Sequence, residues 1–92
     1  MVLRLDESKQ LRERALDVYR QKYGLLSGDE IKRLRERLTL TQGELAELLR
    51  LGVNTISRWE AGRNFQTAAM DVLLRLVRDV PGSIEYLRSI AA

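Results

Sequence analysis

The stretch TQGELAELLRLGVNTISRWEAG, residues 41–62, decides the fold. It opens on a capping box, because Thr41 and Glu44, three residues apart, can each accept the other's free backbone N–H at a helix start. Leu45, Ala46, Leu48 and Leu49 then supply a buried face. Arg50, Leu51 and Gly52 break that helix, and a second short one runs from about Val53 to Glu60, stopped by Ala61 and Gly62. Two short helices so close along the chain must cross tightly. Ala46 is small where they approach, and Leu51 and Ile56 supply the apolar contacts that fix the crossing angle.

The flanking sequence is helical as well. Ser27 and Glu30 form another capping box, ahead of a short helix with Ile31, Leu34 and Leu38 on its inner face. A helix from about Thr67 to Arg78 carries Ala69, Leu73, Leu76 and Val77; Pro81 and Gly82 interrupt the chain, and Ile84, Leu87 and Ile90 mark a last helix. Upstream, Leu11, Ala15, Leu16, Tyr19 and Tyr23 recur at helical spacing up to the stop at Gly24, among dense alternating charges. The expected organisation is an appended helix or linker over residues 1–24, and one compact unit over residues 25–92.

Composition narrows the chemistry. With 92 residues there is room for one core, and 45% hydrophobic against 32% charged residues argues for an ordered globule. Cysteine and histidine are both absent, which removes thiolate nucleophiles, disulfides, zinc-thiolate sites and imidazole bases. No metal site, cofactor or catalytic group is expected, and no carboxylate or lysine spacing suggests an enzyme. No apolar run reaches membrane-spanning length, and the N-terminus has no signal-peptide pattern, so the expected location is cytoplasmic, at the nucleoid. A net charge of +3 is only a weak pointer to nucleic acid.

The combination of Thr41 and Gln42, then Glu44, Leu45 and Ala46, then Ile56, Ser57 and Arg58, then Trp59, Glu60 and Gly62, resembles the Cro/cI (Xre)-type helix-turn-helix repressors over roughly residues 27–80. That resemblance implies an all-α, lambda-repressor-like bundle of about five helices, preceded here by the extra N-terminal helix. Leu25, Leu26 and Ser27, the run from Gly52 to Glu60, and the run from Gln66 to Leu76 are more closely similar to the C-terminal domain of MqsA (YgiT)-type antitoxins. The likeness implies a homodimeric repressor that autoregulates a toxin-antitoxin operon through a palindromic operator, with a cognate toxin as partner. Antitoxins of this type carry an N-terminal zinc-binding region that engages the toxin. The cysteine-free chain has no counterpart of it, so it is either cut within the linker or a short relative. Arg50 also departs from the family, which commonly has Gly there; a left-handed backbone at this position would cost about 1 kcal/mol.

Individual residues follow from both sources. Asn54 and Arg58 lie four apart, hence on one helical face, and Arg and Asn are the common bidentate readers of guanine and adenine. The pair also matches, by resemblance, the base-reading residues of MqsA-type antitoxins, although a capping Asn and a solvated Arg would have the same spacing. Val53 either touches a thymine methyl or is half-buried; Gly52 is read first as a turn glycine, and second as a point of close backbone approach. Thr41 and Gln42 at a helix start are candidates for phosphate binding, with Gly43 allowing close contact by DNA or by protein. Thr55, Ser57, Arg63 and Asn64 complete the backbone-contacting set, with Arg50 weaker; Lys32, Arg33 and Arg37 are read as a solvated face. Trp59 belongs to the core. By resemblance, Glu60 pairs with Arg35 in a structural ion pair. The competing reading of the same fold is a protein-interaction module that does not read DNA.

Overall fold

The computed structural model describes residues 5–91. Six helices form among them: α1 Leu5–Tyr23, α2 Gly28–Arg37, α3 Gln42–Leu48, α4 Thr55–Glu60, α5 Ala68–Asp79 and α6 Ser83–Ala91. The five that follow α1 match the expected bundle. Both capping boxes form: Ser27 Oγ accepts from the Glu30 N–H, Thr41 Oγ1 accepts from the Glu44 N–H, and each glutamate returns the bond.

Four helices end in the same way. After α1, α2, α3 and α4 the residue beyond the cap has positive φ: Gly24 (64°), Thr39 (56°), Arg50 (58°) and Gly62 (73°). At each, the following N–H reaches back five residues, as in Leu25 to Arg20, Leu40 to Arg35, Leu51 to Ala46 and Arg63 to Arg58. This is the Schellman arrangement, which favours Gly at the left-handed position. Thr39 and Arg50 occupy it with a side chain, at a cost of about 1–2 kcal/mol each. Apolar residues just past three of these ends compensate, since Leu25 and Leu40 are buried and Leu51 packs on the core.

The core draws on every helix of the bundle. Leu26, Ile31, Leu34, Leu40, Leu45, Ala46, Leu49, Ile56, Trp59, Leu74, Val77 and Ile84 form one buried cluster. Trp59 is inside, as its spacing from Ile56 predicts. The N-terminus of α2 runs against the end of α4 with no room between them. A methyl group on Gly28 would sit 2.6 Å from the Glu60 carbonyl oxygen and 2.7 Å from that of Trp59.

The structure departs from the sequence reading in several places. On α5 the inner face is Asp71, Leu74 and Val77; Ala69 and Leu76 are exposed and Leu73 is half-buried. The helix is apolar on several sides, so periodicity alone does not fix its rotation, and the anchoring of Asp71 does. Leu38 and Leu48 are half-buried and pack against the edge of the core. Helix α4 begins at Thr55, two residues later than its apolar pattern suggests, with Asn54 at the N-cap. On α1 the apolar stripe is not buried: Leu11, Ala15, Tyr19 and Tyr23 are exposed, while the Leu16 side chain lies outside the described residues. Of the other apolar side chains on α5 and α6, Leu74 and Ile84 enter the core and Leu73 and Leu87 pack on it. Leu76 and Ile90 stay exposed, together with Val72, Val80 and Tyr86. No helix among the described residues is long and apolar enough to cross a membrane.

Candidate nucleic-acid interface

Helix α4 has six residues, too few to hold itself together in water. Its inner side is therefore fixed by tertiary contacts. Ile56 and Trp59 are buried, and Glu60 closes the end. Arg35 Nε donates to Glu60 Oε2 at 2.7 Å and Arg35 Nη2 to Glu60 Oε1 at 3.0 Å, a two-pronged pair with side chains only 13% and 6% exposed. The remaining Arg35 prong, Nη1, donates to the Leu40 carbonyl at 2.9 Å. Gln42 Nε2 adds a third bond to Glu60 Oε1, at 3.1 Å. Burial pushes the Glu60 carboxyl up, but the bonds from Arg35 and Gln42 and the guanidinium charge outweigh it and hold the group below the usual carboxylate range. Arg35 is raised correspondingly, mainly by its hydrogen bond to Glu60. One carboxylate thus ties α2, the start of α3 and the end of α4 together.

The outer side is bare. Asn54 and Arg58 are exposed, and neither side chain has a hydrogen-bond or ion-pair partner among the described residues. The Arg58 N–H donates to the Asn54 carbonyl at 3.1 Å, so the four-residue spacing survives although Asn54 caps α4 rather than belonging to it. Its amide does not cap the helix, which leaves it free to point outward. Val53 is 72% exposed beside them. With this geometry the comparison with known families becomes informative: residues 1–88 match the family described as the antitoxin component of a bacterial toxin-antitoxin system, MqsA. The chain belongs to the MqsA antitoxin family. A relative is Antitoxin HigA-2 of Vibrio cholerae serotype O1, 32% identical over 62 residues, which are 67% of this chain and 60% of that protein. The MqsA-family chain therefore spans less than two thirds of that relative's length.

Two glycines in this MqsA-family site are informative because nothing among the described residues demands them. Gly52 is not left-handed, and an added methyl group would meet only Thr55 Oγ1, at 3.4 Å; this removes the turn requirement as the reason for a glycine. A methyl on Gly43 would come no nearer than 4.0 Å to Thr41 Oγ1, so protein packing does not explain it either. Both open towards solvent beside the start of α3 and the turn before α4.

The remaining candidates are placed less uniformly. Thr41 is exposed, its hydroxyl engaged in the cap. Gln42 is half-buried, with one amide N–H given to Glu60; its other N–H is the one available outward. Thr55 and Ser57 are half-buried, and Ser57 Oγ donates to the Asn54 carbonyl at 2.9 Å, which leaves it as an acceptor. Arg63 and Asn64 are exposed just past α4; Asn64 Oδ1 accepts from the Phe65 N–H at 2.8 Å, so its amide remains as a donor. Arg50 turns away from this group and donates from Nη2 to the Ile90 carbonyl at 3.0 Å.

Sequence reasoning missed a second polar cluster. Gln66 and Asp71 are both buried; Gln66 Nε2 donates to Asp71 Oδ1 and to the Leu26 carbonyl, and Asp71 Oδ1 also accepts from the Leu26 N–H at 2.8 Å. Arg75 donates from Nε to Asp71 Oδ2 at 2.8 Å and from Nη2 to the Gly24 carbonyl. Burial pushes Asp71 up, and the bonds from Arg75, Leu26 and Gln66 bring it below its ordinary range. The available signal was Asp71 itself, three and six residues before buried Leu74 and Val77. Among the described residues no group of acidic side chains is arranged to hold a metal ion.

Proposed function

We propose that this chain is the operator-reading part of an autoregulating antitoxin: a repressor that binds a palindromic site as a homodimer, with α4 in the major groove. The carrying observation is the contrast on α4, whose inner side is fully committed while Asn54 and Arg58 stand one turn apart with no partner. An exposed Arg and Asn held on one side of a fixed helix suit guanine and adenine edges. In this reading Val53 touches a thymine methyl, and Gly52 and Gly43 let the turn and the start of α3 approach the duplex closely. Thr41, Gln42, Thr55, Ser57, Arg63 and Asn64 anchor the phosphate backbone. Residues 25–92 form the DNA-binding unit, and the exposed apolar side chains of α5 and α6 (Val72, Leu76, Tyr86 and Ile90), with Val80 just past α5, supply the two-fold contact. A toxin is the protein partner implied by the family, and the site of action is the nucleoid. The test is selection of duplexes from a random pool. A recovered palindrome with half-site centres about 34 Å apart supports the proposal; recovery of no common sequence contradicts it.

A further inference from the structure

The loop that carries Arg63 and Asn64 is tied at both ends and exposes both side chains between them. At its start, with Gly62 left-handed, the Arg63 N–H donates to the Arg58 carbonyl at 3.0 Å. At its end the Gln66 side chain is buried and bonded to Leu26 and Asp71. Between the ties, the exposed Arg63 and Asn64 precede Phe65, whose ring is half-buried and lies outside the core cluster. That ring is stacked on Tyr19 of α1, with centroids 4.2 Å apart and planes 27° apart. Tyr23 adds a tilted ring beside Tyr19 at 4.5 Å, with Lys22 Nζ 5.5 Å from the Tyr23 ring centre. Tyr19 is the described α1 residue with a ring contact outside its own helix.

We propose that Tyr19, through its stack on Phe65, positions the Arg63–Asn64 loop for phosphate contact, so that the last turns of α1 take part in DNA binding. The inference rests on the reading above that this loop touches the DNA backbone. Neighbouring aromatic rings at this separation attract one another beyond simple burial. A loop tip that must order itself on binding loses affinity to that ordering, and a side chain that orders it beforehand recovers the loss. Tyr19 is 37% exposed, so the stack is peripheral to the core, and removing it frees the loop without opening the fold. Tyr19 is thus a positioning residue that acts through Phe65, not a group that touches DNA.

The experiment is a double-mutant cycle on the full chain, using a duplex selected by the wild-type protein, at several salt concentrations. Tyr19→Ala should weaken binding about three- to tenfold. It should also flatten the salt dependence by up to about one unit, since Arg63 no longer sits on its phosphate. Tyr19→Phe, which keeps the ring, should bind as wild type. In an Arg63→Ala background, Tyr19→Ala should add less than about twofold, because the contact it supports is already gone. Circular dichroism should show an unchanged helix signal; should Tyr19→Ala fail to fold, Tyr19→Leu, which keeps apolar bulk without a ring, carries the same expectations. Wild-type affinity in the variant, equal losses with and without Arg63, or an equal loss in Tyr19→Phe would each overturn the proposal. Wild-type protein that selects no duplex would instead overturn the DNA-binding reading itself, and this inference with it.

Discussion

The two sides of the six-residue helix α4 differ sharply in how far their residues are committed to the fold. On the inner side Glu60 accepts three side-chain hydrogen bonds and Ile56 and Trp59 are buried; on the outer side the Asn54 and Arg58 side chains have no polar partner among the described residues. A helix this short owes its existence to the inner side. Because that side does all of the folding, the outer residues are free to change without loss of the scaffold. Mutations should therefore separate cleanly into those that unfold the protein and those that change only what it binds.

The largest effect is expected at Glu60. Glu60→Ala leaves the mostly buried Arg35 guanidinium unpaired and should destabilise the fold by about 3–5 kcal/mol in chemical denaturation. A loss near zero would mean that the inner side is not what holds α4. Next comes Gly28, where Ala would collide with the backbone at the end of α4 and should cost about 1–3 kcal/mol through overpacking. Unchanged stability would show that α2 and α4 can separate without penalty.

Acid should act on the same inner network. Glu60 and Asp71 both have folded pKa values below their ordinary ones, so their stabilisation is fully present above about pH 4–5 and is lost as pH falls through the folded values. Denaturation midpoints measured from pH 6 downwards should fall, and the fall should be shallower in Asp71→Asn. A parallel acid limb in that variant would remove Asp71 from the account. The smallest effect has the opposite sign: Thr39→Gly relieves a left-handed β-branched residue and should raise stability by about 1 kcal/mol, readable as a higher melting temperature.

Much of this was legible in the sequence, for identifiable reasons. The capping boxes at Ser27 and Thr41, the break at residues 50–52 and the burial of Ile56 and Trp59 all follow from local spacing, which needs no knowledge of the partner helix. The Arg35–Glu60 pair came from family likeness and not from spacing, since the two are 25 residues apart. What stayed hidden depends on tertiary geometry. The rotation of α5 was ambiguous because Ala69, Leu73, Leu74, Leu76 and Val77 offer more than one apolar face. Nothing in the local spacing marks Gly28, whose role emerges only from the carbonyls of α4. The bond from Gln42 to Glu60 likewise needs the end of α4 to be in place.

The central claim is that Arg58 reads a base, and its most direct test is the Arg58→Ala variant titrated on a selected duplex and on a scrambled one. The account predicts unchanged stability within about 0.5 kcal/mol, as for an exposed residue without partners. It also predicts a loss of about 1–3 kcal/mol on the selected duplex, with relaxed preference at one base pair and a smaller loss on the scrambled one. Equal losses on both duplexes would make Arg58 a phosphate contact and contradict the claim.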